Sequence, residues 1–207
     1  MTIQIKKSIK PVNYSFAINT LEKRVEKIIN NQKVKELIWF LEHPSIYTGG
    51  SSYKRSEILD NSIKLIKTKR GGKVTWHGPG QLICYLVIDL KKRDKDIRRF
   101  VNLLELSIIN SLKEYKINSF SDRKNIGIWS KLNNKKVKIG AIGIRVKRWV
   151  AYHGFSLNIS NDLNNYKKIV PCGLDNYKVN KLSNLKKQNY KNIRKILEKN
   201  ILSYLKV

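Results

Sequence analysis

The stretch from Arg70 to Leu90, RGGKVTWHGPGQLICYLVIDL, limits most strongly what this chain can fold into. A glycine pair comes first, then a histidine in a turn rich in glycine and proline, and then a long apolar segment that is typical of a buried strand. Glycines let a backbone approach a ligand closely, and a buried strand anchors that backbone in a core. The order therefore predicts a binding site built directly onto the centre of a sheet.

The length of the chain fits one domain. With 207 residues, 41% of them hydrophobic, the chain can bury a sizeable core, and we expect one domain over residues 1–207. The sequence has no apolar run long enough to span a membrane, and its first residues, MTIQIKKSIKP, lack the apolar segment of a signal peptide. We therefore expect a cytoplasmic protein without a membrane partner.

The formal net charge of +28 could indicate binding to nucleic acid or to another polyanion. The lysines, however, are spread along the chain among many asparagines and isoleucines and form no patterned stripe. Aromatic residues are not interleaved with arginines as they are on a surface that stacks bases. We therefore expect no nucleic-acid partner, and two alternatives stay open: a solvated lysine-rich surface, or attraction of acidic proteins.

Apolar residues at three-and-four spacing predict three helices: residues 13–30, a helix with Ile97 to Tyr115 along one face, and a helix from about Tyr190. Strands are predicted at 34–41 with mixed burial, at 63–68 with an exposed side, and at 149–160. Residues 125–130 and a strand from Val137 should form a hairpin. In EHPSIYTGGSS, residues 42–52, proline and glycines should end regular structure. The pattern favours an α+β or mixed α/β fold over a doubly wound sheet.

The two cysteines differ in their surroundings. Cys84 lies in the apolar run LICYLVIDL, where cysteine usually behaves as a small hydrophobic residue. Cys172 lies in IVPCGL, between proline and glycine, in a turn that could present sulfur to a substrate. The local sequence leaves open whether Cys172 is reactive.

A nucleophilic cysteine needs a neighbour that supplies charge or takes its proton. His77 and His153 are candidates, although histidines in tight turns often only bond the backbone. Lys138 is the third, because strand alternation around it puts apolar or small residues on both faces and predicts its partial burial. The residues alone do not select among the three.

Metal chemistry is not indicated, because three scattered histidines and two cysteines show no close paired spacing. A serine hydrolase is not indicated either, because the sequence has no Gly-x-Ser-x-Gly turn. We therefore expect no metal and no cofactor.

Four motifs together resemble the bacterial octanoyltransferase family, also called lipoyl(octanoyl) transferase: EHPSIYTGG, RGGKVTWHGPGQL, KIGAIGIRVKRWVAYHGFSLNIS and PCGL. They follow the order of the family and cover about residues 40 to 182. The resemblance implies the fold of biotin and lipoate protein ligases, with mixed sheets flanked by helices.

The resemblance also implies roles for residues. Cys172 would carry the acyl group as a thioester, and Lys138 would lower the pKa of this cysteine and move protons. The substrate-binding segments of the family match Arg70, Gly71, Gly72, Lys73, Val74, Thr75, Trp76 and His77; Ala141, Ile142 and Gly143; and Gly154, Phe155 and Ser156.

The implied reaction takes an octanoyl group from acyl carrier protein and passes it to a lysine of lipoyl domains, such as those of 2-oxoacid dehydrogenase and glycine cleavage proteins. The enzyme would work as a monomer. Exchange between thioesters is nearly isoenergetic, so this route needs no ATP. The nearest alternative is an ATP-dependent lipoate or biotin protein ligase of the same fold, which needs no nucleophilic cysteine. The other alternative is a binding protein without catalysis.

Overall fold

A computed structural model of the chain describes residues 3–171 and 178–205. Over these residues the helices and strands alternate irregularly along the chain. They are β1 (Ile3–Lys7), α1 (Tyr14–Ile29), β2 (Glu36–Leu41), β3 (Ile46–Gly49), β4 (Leu65–Lys67), β5 (Val74–His77), β6 (Gln81–Asp89), α2 (Ile97–Glu114), β7 (Ser119–Ser121), β8 (Ile128–Leu132), β9 (Lys135–Lys147), β10 (Val150–Asn158), β11 (Lys178–Val179), α3 (Leu182–Leu185) and α4 (Ile193–Tyr204).

The strands form two sheets. The larger has the order β1-β2-β6-β10-β9-β8-β7, and β11 pairs in parallel with β9 outside this path. The smaller has the order β4-β3-β5. Most pairs are antiparallel, but β1 runs parallel to β2 and β3 runs parallel to β4. The sheets are thus mixed, as the sequence predicts.

Helices cover both faces of the larger sheet. Helix α1 begins where the Asn13 side chain accepts a hydrogen bond from the Phe16 N–H, and its buried side packs on one face. Helix α2 begins in the same way at Asp96, and it packs with α4 on the other face. The predicted mixed α/β fold, with sheets flanked by helices, is confirmed.

The sheet centre is buried more completely than the sequence indicates. All six residues of β2 are buried, so the expectation of mixed burial was wrong. Trp39 packs toward α1, whereas Phe40 packs toward α2 and α4, because successive side chains point to opposite faces and both faces are covered. Cys84 of β6 is fully buried in the core, as predicted.

One further expectation was wrong. Residues 42–52 do not simply end regular structure, because they contain β3, which pairs with β4 and β5. The predicted hairpin is confirmed, and its turn residues Asn133 and Asn134 have φ angles of 49° and 59°. Within the described ranges no helix is long and apolar enough to cross a membrane.

Candidate active site

A cavity of about 610 Å³ opens where the two sheets meet, within the usual size range of small-molecule sites. Its walls include residues from β5, β6, β9 and β10. This cavity is lined by most of the site residues that the sequence motifs indicate: residues 70–73, Thr75, His77, Lys138, residues 141–143 and residues 154–156. Segments far apart in the sequence therefore meet around one space.

Two of the named residues, Val74 and Trp76, do not line this cavity. Their side chains pack in a separate apolar cluster with Tyr47 and Tyr166, and the indole Nε1–H of Trp76 donates to the Ser45 hydroxyl at 2.9 Å. The reason is the twofold period of β5, which turns Thr75 and His77 toward the cavity and Val74 and Trp76 away from it. A role for either residue in binding would have to come from its main chain.

Arg70 holds the loop that forms one wall. Its guanidinium donates to the Thr48 carbonyl at 2.9 Å and to the Lys73 carbonyl at 2.9 Å. Gly72 has a φ of +86°, and a Cβ on Gly50 would lie 2.2 Å from the Gly72 oxygen. The two glycines allow the loop to lie flat against β3, and Arg70 fixes it there.

Lys138 lies on β9 and is only 7% exposed, as the alternation predicts. Its ammonium donates to the Ile126 carbonyl at 3.0 Å and lies 5.3 Å from the centre of the Trp129 ring. One carbonyl satisfies one of the three ammonium hydrogens. A buried cation with remaining donor capacity, on the wall of a cavity, is suited to exchanging protons with a bound group.

Cys172 lies outside the described residues. The described residues on either side of residues 172–177 lie close to Lys138: Pro171 and Val179 share a small recess with it and with Thr75. Val179 is also paired with Lys138 in the sheet, and the Asn180 N–H donates to the Lys138 carbonyl at 2.8 Å. The described residues before and after residues 172–177 therefore both lie beside Lys138.

The three histidines, scattered in the sequence, lie in one cluster of rings, in which His77 and His153 line the cavity and His43 is fully buried behind them. The rings of His43 and His77 are 5.9 Å apart, Tyr85 is 5.6 Å from His43, and His153 is 6.4 Å from Tyr85. His43 Nδ1 lies 2.6 Å from the Val12 carbonyl, so it carries the proton, and Nε2 accepts from the Tyr85 hydroxyl at 2.8 Å. Burial lowers the pKa of His43.

His77 has a defined proton position. Its Nδ1 lies 2.7 Å from Gln81 Oε1, while the Gln81 amide nitrogen lies 2.8 Å from Asn158 Oδ1 and donates to it. The His77 Nδ1–H therefore donates, and Nε2 is left as an acceptor. Burial lowers the pKa of His77 to about 3, with contributions from His43 and Arg70. His77 is thus neutral at physiological pH.

His153 is held in an unusual conformation. It has a φ of 68° in the middle of β10, and it is 2% exposed. Neither ring nitrogen finds a hydrogen-bond partner among the described residues. Burial, and then the charges of Arg70 and Arg145, lower its pKa to about 3. Both this residue and His77 line the cavity as neutral rings.

Several cavity residues were missed by the sequence reasoning. Tyr14, at the start of α1, and Tyr85 of β6 both reach the cavity, and so do Ile97 and Val101 of α2 and residues 124–126. Alternation from the buried Cys84 could have turned Tyr85 to the opposite face. Nothing in the sequence could have placed Tyr14, because its helix contacts this wall only through the tertiary fold.

The cavity combines an apolar lining with cationic groups. Ile83, Ile142 and Phe155 supply apolar surface, while Lys138 and Arg70 supply positive charge. In the part of the chain that the structure describes, no three His, Cys, Asp or Glu residues are grouped so that they could hold a metal ion. The site can accommodate an apolar chain that ends in a polar, reacting group.

The model of the lipoyl protein ligase A/B catalytic domain family matches residues 13–202. A protein of Anaplasma phagocytophilum named octanoyltransferase is 46% identical over 176 residues, which cover 84% of this chain and 84% of the relative. An octanoyltransferase of Zymomonas mobilis is 45% identical over 177 residues, 85% of this chain and 82% of the relative.

Among solved structures, the bipartite lipoate protein ligase of Thermoplasma acidophilum superposes with a TM-score of 0.74. The alignment covers 99% of this chain and 85% of that chain, at 13% sequence identity. At this identity the likeness concerns the fold alone, and it confirms the ligase-like fold that the sequence motifs imply.

Proposed function

Because this chain belongs to the lipoyl protein ligase A/B catalytic domain family and resembles octanoyltransferases over most of its length, we propose that it transfers octanoyl groups from acyl carrier protein to lipoyl domains. The chain is an acyltransferase. The proposal concerns its donor, its acceptor and the cysteine thioester that connects them. Lipoyl domains of 2-oxoacid dehydrogenase and glycine cleavage proteins are the proposed acceptors, and a monomer in the cytoplasm is the proposed working form.

The observation that carries the proposal is the meeting of three glycine-containing segments and Lys138 around one apolar cavity. Residues 70–73, 141–143 and 154–156 are glycine-containing walls, which a linear acyl chain can approach closely. Burying such a chain contributes about 0.8 kcal/mol for each methylene. The cavity thus favours an alkyl chain over a polar substrate.

The first half-reaction would use Cys172 and Lys138. The Cys172 thiolate attacks the carbonyl carbon of the octanoyl thioester, the bond to the carrier sulfur breaks, and the carrier thiolate takes a proton from the Lys138 ammonium. The products are an octanoyl-Cys172 thioester, the free carrier thiol and a neutral Lys138. Pro171, which precedes the cysteine, and Val179, which follows residues 172–177, both lie beside Lys138, which supports this pairing.

The second half-reaction returns the proton. The neutral amine of the acceptor lysine attacks the carbonyl carbon of the thioester, Cys172 leaves as a thiolate, and the surplus proton of the new amide nitrogen passes to Lys138. The enzyme is then restored to its starting state. No step needs ATP, because the acyl group stays activated as a thioester until the amide forms.

The test is transfer of the octanoyl group to a lipoyl domain, followed by mass spectrometry of that domain. With octanoyl acyl carrier protein as donor we expect a modified domain without ATP, and no further gain when ATP is added. Modification that requires free octanoate and ATP, and that persists in Cys172→Ser, would instead identify an ATP-dependent ligase. If neither donor leads to a modified lipoyl domain, the result would favour a binding protein without catalysis.

A further inference from the structure

The ring of His153 lies on the face of the larger sheet opposite to the one that strand alternation predicts. Ala151 and Phe155, two residues before and after it on β10, belong to the core that packs against α2 and α4. The His153 ring instead stacks on the Tyr152 ring, 4.8 Å away, and lies 6.4 Å from the Tyr85 ring, and both tyrosines pack toward α1. The φ of 68° at His153 accounts for this reversal. A backbone conformation that histidine seldom adopts thus brings its ring to the cavity wall beside Tyr85.

Both nitrogens of this buried ring lack a partner. His153 is 2% exposed, and among the described residues neither Nδ1 nor Nε2 has a hydrogen-bond partner. Burial lowers the pKa of His153 to about 3, so the ring is neutral and has one N–H donor and one acceptor nitrogen. Buried polar groups without partners are rare, because leaving them unpaired costs free energy. An unusual backbone and two unpaired nitrogens at one cavity residue together indicate contact with a bound molecule.

The position of the ring matches the length of an eight-carbon chain. A Cβ on Gly127 would lie 2.6 Å from Lys138 Cε and 2.7 Å from the Gly140 oxygen, so the end of the lysine side chain lies level with Gly140. His153 is paired with Ile144, four residues farther along β9, which is about 13 Å. The seven carbon–carbon bonds of an octanoyl group, about 1.5 Å each, span about 9 Å as a zigzag. With a hydrogen bond of about 3 Å between the ammonium and the acyl carbonyl, the eighth carbon reaches the His153 ring.

The part of the cavity between Lys138 and His153, here called the acyl slot, has small residues along its wall. Gly143 and Gly154 are paired with each other across β9 and β10, and both line the cavity. Ala141 lines it nearer to Lys138. Residues without large side chains leave room for an alkyl chain against the backbone. Such a chain would therefore cross small, uncharged residues and end at a polar ring.

We propose that His153 closes the far end of the acyl slot and limits the acyl chain to about eight carbons. A chain of this length leaves the ring nitrogens open to water, whereas a longer chain covers them with methylene groups, which form no hydrogen bonds. Each added methylene favours binding roughly fourfold, but each covered nitrogen disfavours it roughly tenfold or more. Covering both nitrogens outweighs the gain from two methylenes. The inference rests on the proposed function for the position of the acyl carbonyl beside Lys138.

The first test needs no variant and no catalysis. Isothermal titration calorimetry measures the binding of octanoate, nonanoate and 8-hydroxyoctanoate to the purified protein. The last two have the same length, but one ends in a methyl group and the other in a hydroxyl group, which can bond the ring. We expect 8-hydroxyoctanoate to bind roughly tenfold more tightly than nonanoate, whereas a slot with an apolar end gives the opposite order. Equal affinities, the opposite order, or no binding of octanoate overturns the proposal.

The second test compares three variants. His153→Gly removes both nitrogens and accepts the positive φ, and His153→Asn keeps a polar side chain that also tolerates it. Tyr152→Phe is the matched control, because the Tyr152 ring stacks on His153 but does not line the cavity. Circular dichroism identifies the variants that fold.

The measured quantity is the affinity for decanoate relative to octanoate. We expect this ratio to rise at least tenfold in His153→Gly and to stay at the original value in His153→Asn and Tyr152→Phe. An unchanged ratio in His153→Gly overturns the proposal. A rise in His153→Asn as large as in His153→Gly shows that the size of the ring, and not its polarity, ends the slot, and the proposal is then wrong. If His153→Gly does not fold, the comparison of nonanoate with 8-hydroxyoctanoate decides.

Acyl transfer supplies an independent readout. With acyl carrier protein donors, the original protein should have a kcat/KM for octanoyl at least tenfold above that for decanoyl, and His153→Gly should lose this preference. Equal kcat/KM values for the two donors in the original protein contradict the proposal. If the original protein transfers neither acyl group, the proposed function fails, and the binding order of the free acids still decides the role of His153.

Discussion

A Cβ atom added to Gly154 would lie 1.9 Å from the carbonyl oxygen of Cys84, on the neighbouring strand at the centre of the larger sheet. Backbone atoms of two paired strands cannot move apart to accept it. The His-Gly pair of the sequence motif thus has a structural reason beyond any contact with a substrate.

We expect Gly154→Ala to lower the free energy of unfolding by about 3 kcal/mol or more, because overpacking here meets backbone. Gly143→Ala is the matched control, since its Cβ would lie 3.3 Å from the nearest atom, the Gly71 oxygen. Urea unfolding monitored by tryptophan fluorescence measures both. Equal urea midpoints for the two variants would contradict the claim that the backbone beside Gly154 leaves no room for a Cβ atom.

Lys138→Met should fold but lose acyl transfer. The change keeps the apolar part of the side chain and removes the buried ammonium, so stability should be retained within about 1.5 kcal/mol. The acylation rate should fall about 100- to 10,000-fold, the usual contribution of a general acid or base. Stopped-flow release of the carrier thiol measures the rate. Lys131→Met, an exposed lysine on β8, is the control and should keep the full rate.

The helices and the central strands could be predicted from the sequence because their signals are local. Asn13 and Asp96 precede regular apolar spacing, and Asn133 and Asn134 favour the tight turn of the hairpin. Strand β3 could not be predicted, because Ile46–Gly49 has proline and glycine beside it and acquires its partners only from β4 and β5. Its existence depends on pairing with distant residues.

The residues of the candidate site that lie in sequence motifs were predicted, whereas those that only the tertiary fold brings to the site were missed. Lys138 could be assigned partial burial from alternation, and this is confirmed. The meeting of His43, His77 and His153 in one cluster of rings depends on three separate segments.

The buried histidines should make the fold sensitive to acid. The folded-state pKa of His153 is about 3, below the ordinary value of 6.5, so the unfolded chain binds the proton first and stability is lost as the pH falls below 6.5. The loss is about 1.4 kcal/mol for each pH unit for one such histidine. Asparagine tolerates the positive φ, so His153→Asn should remove the loss of stability that His153 causes at low pH. The urea midpoints of the original protein and of this variant, measured from pH 7 to about pH 5, test this prediction. If the midpoint depends on pH equally in the two proteins, the contribution assigned to His153 is wrong.

The net charge of +28 offers a test with protein donors. If the positive surface attracts acidic carriers, raising the salt from about 0.05 M to about 0.5 M should slow the reaction with octanoyl acyl carrier protein roughly tenfold. A neutral small donor, octanoyl pantetheine, should react at nearly the same rate at both salt concentrations. Similar salt dependence for the two donors would mean that the lysines act only as a solvated surface.

The central claim is the acyl-enzyme on Cys172, and intact-mass spectrometry tests it most directly. After incubation with octanoyl acyl carrier protein and no ATP, we predict a gain of one octanoyl group that hydroxylamine removes. Cys84→Ala should retain the gain, because Cys84 is fully buried and its thiol pKa is raised well above the ordinary 9.0 by burial. Cys172→Ser should show no hydroxylamine-sensitive adduct. A folded protein that gains no mass, or a thioester that persists in Cys172→Ser, would contradict the account.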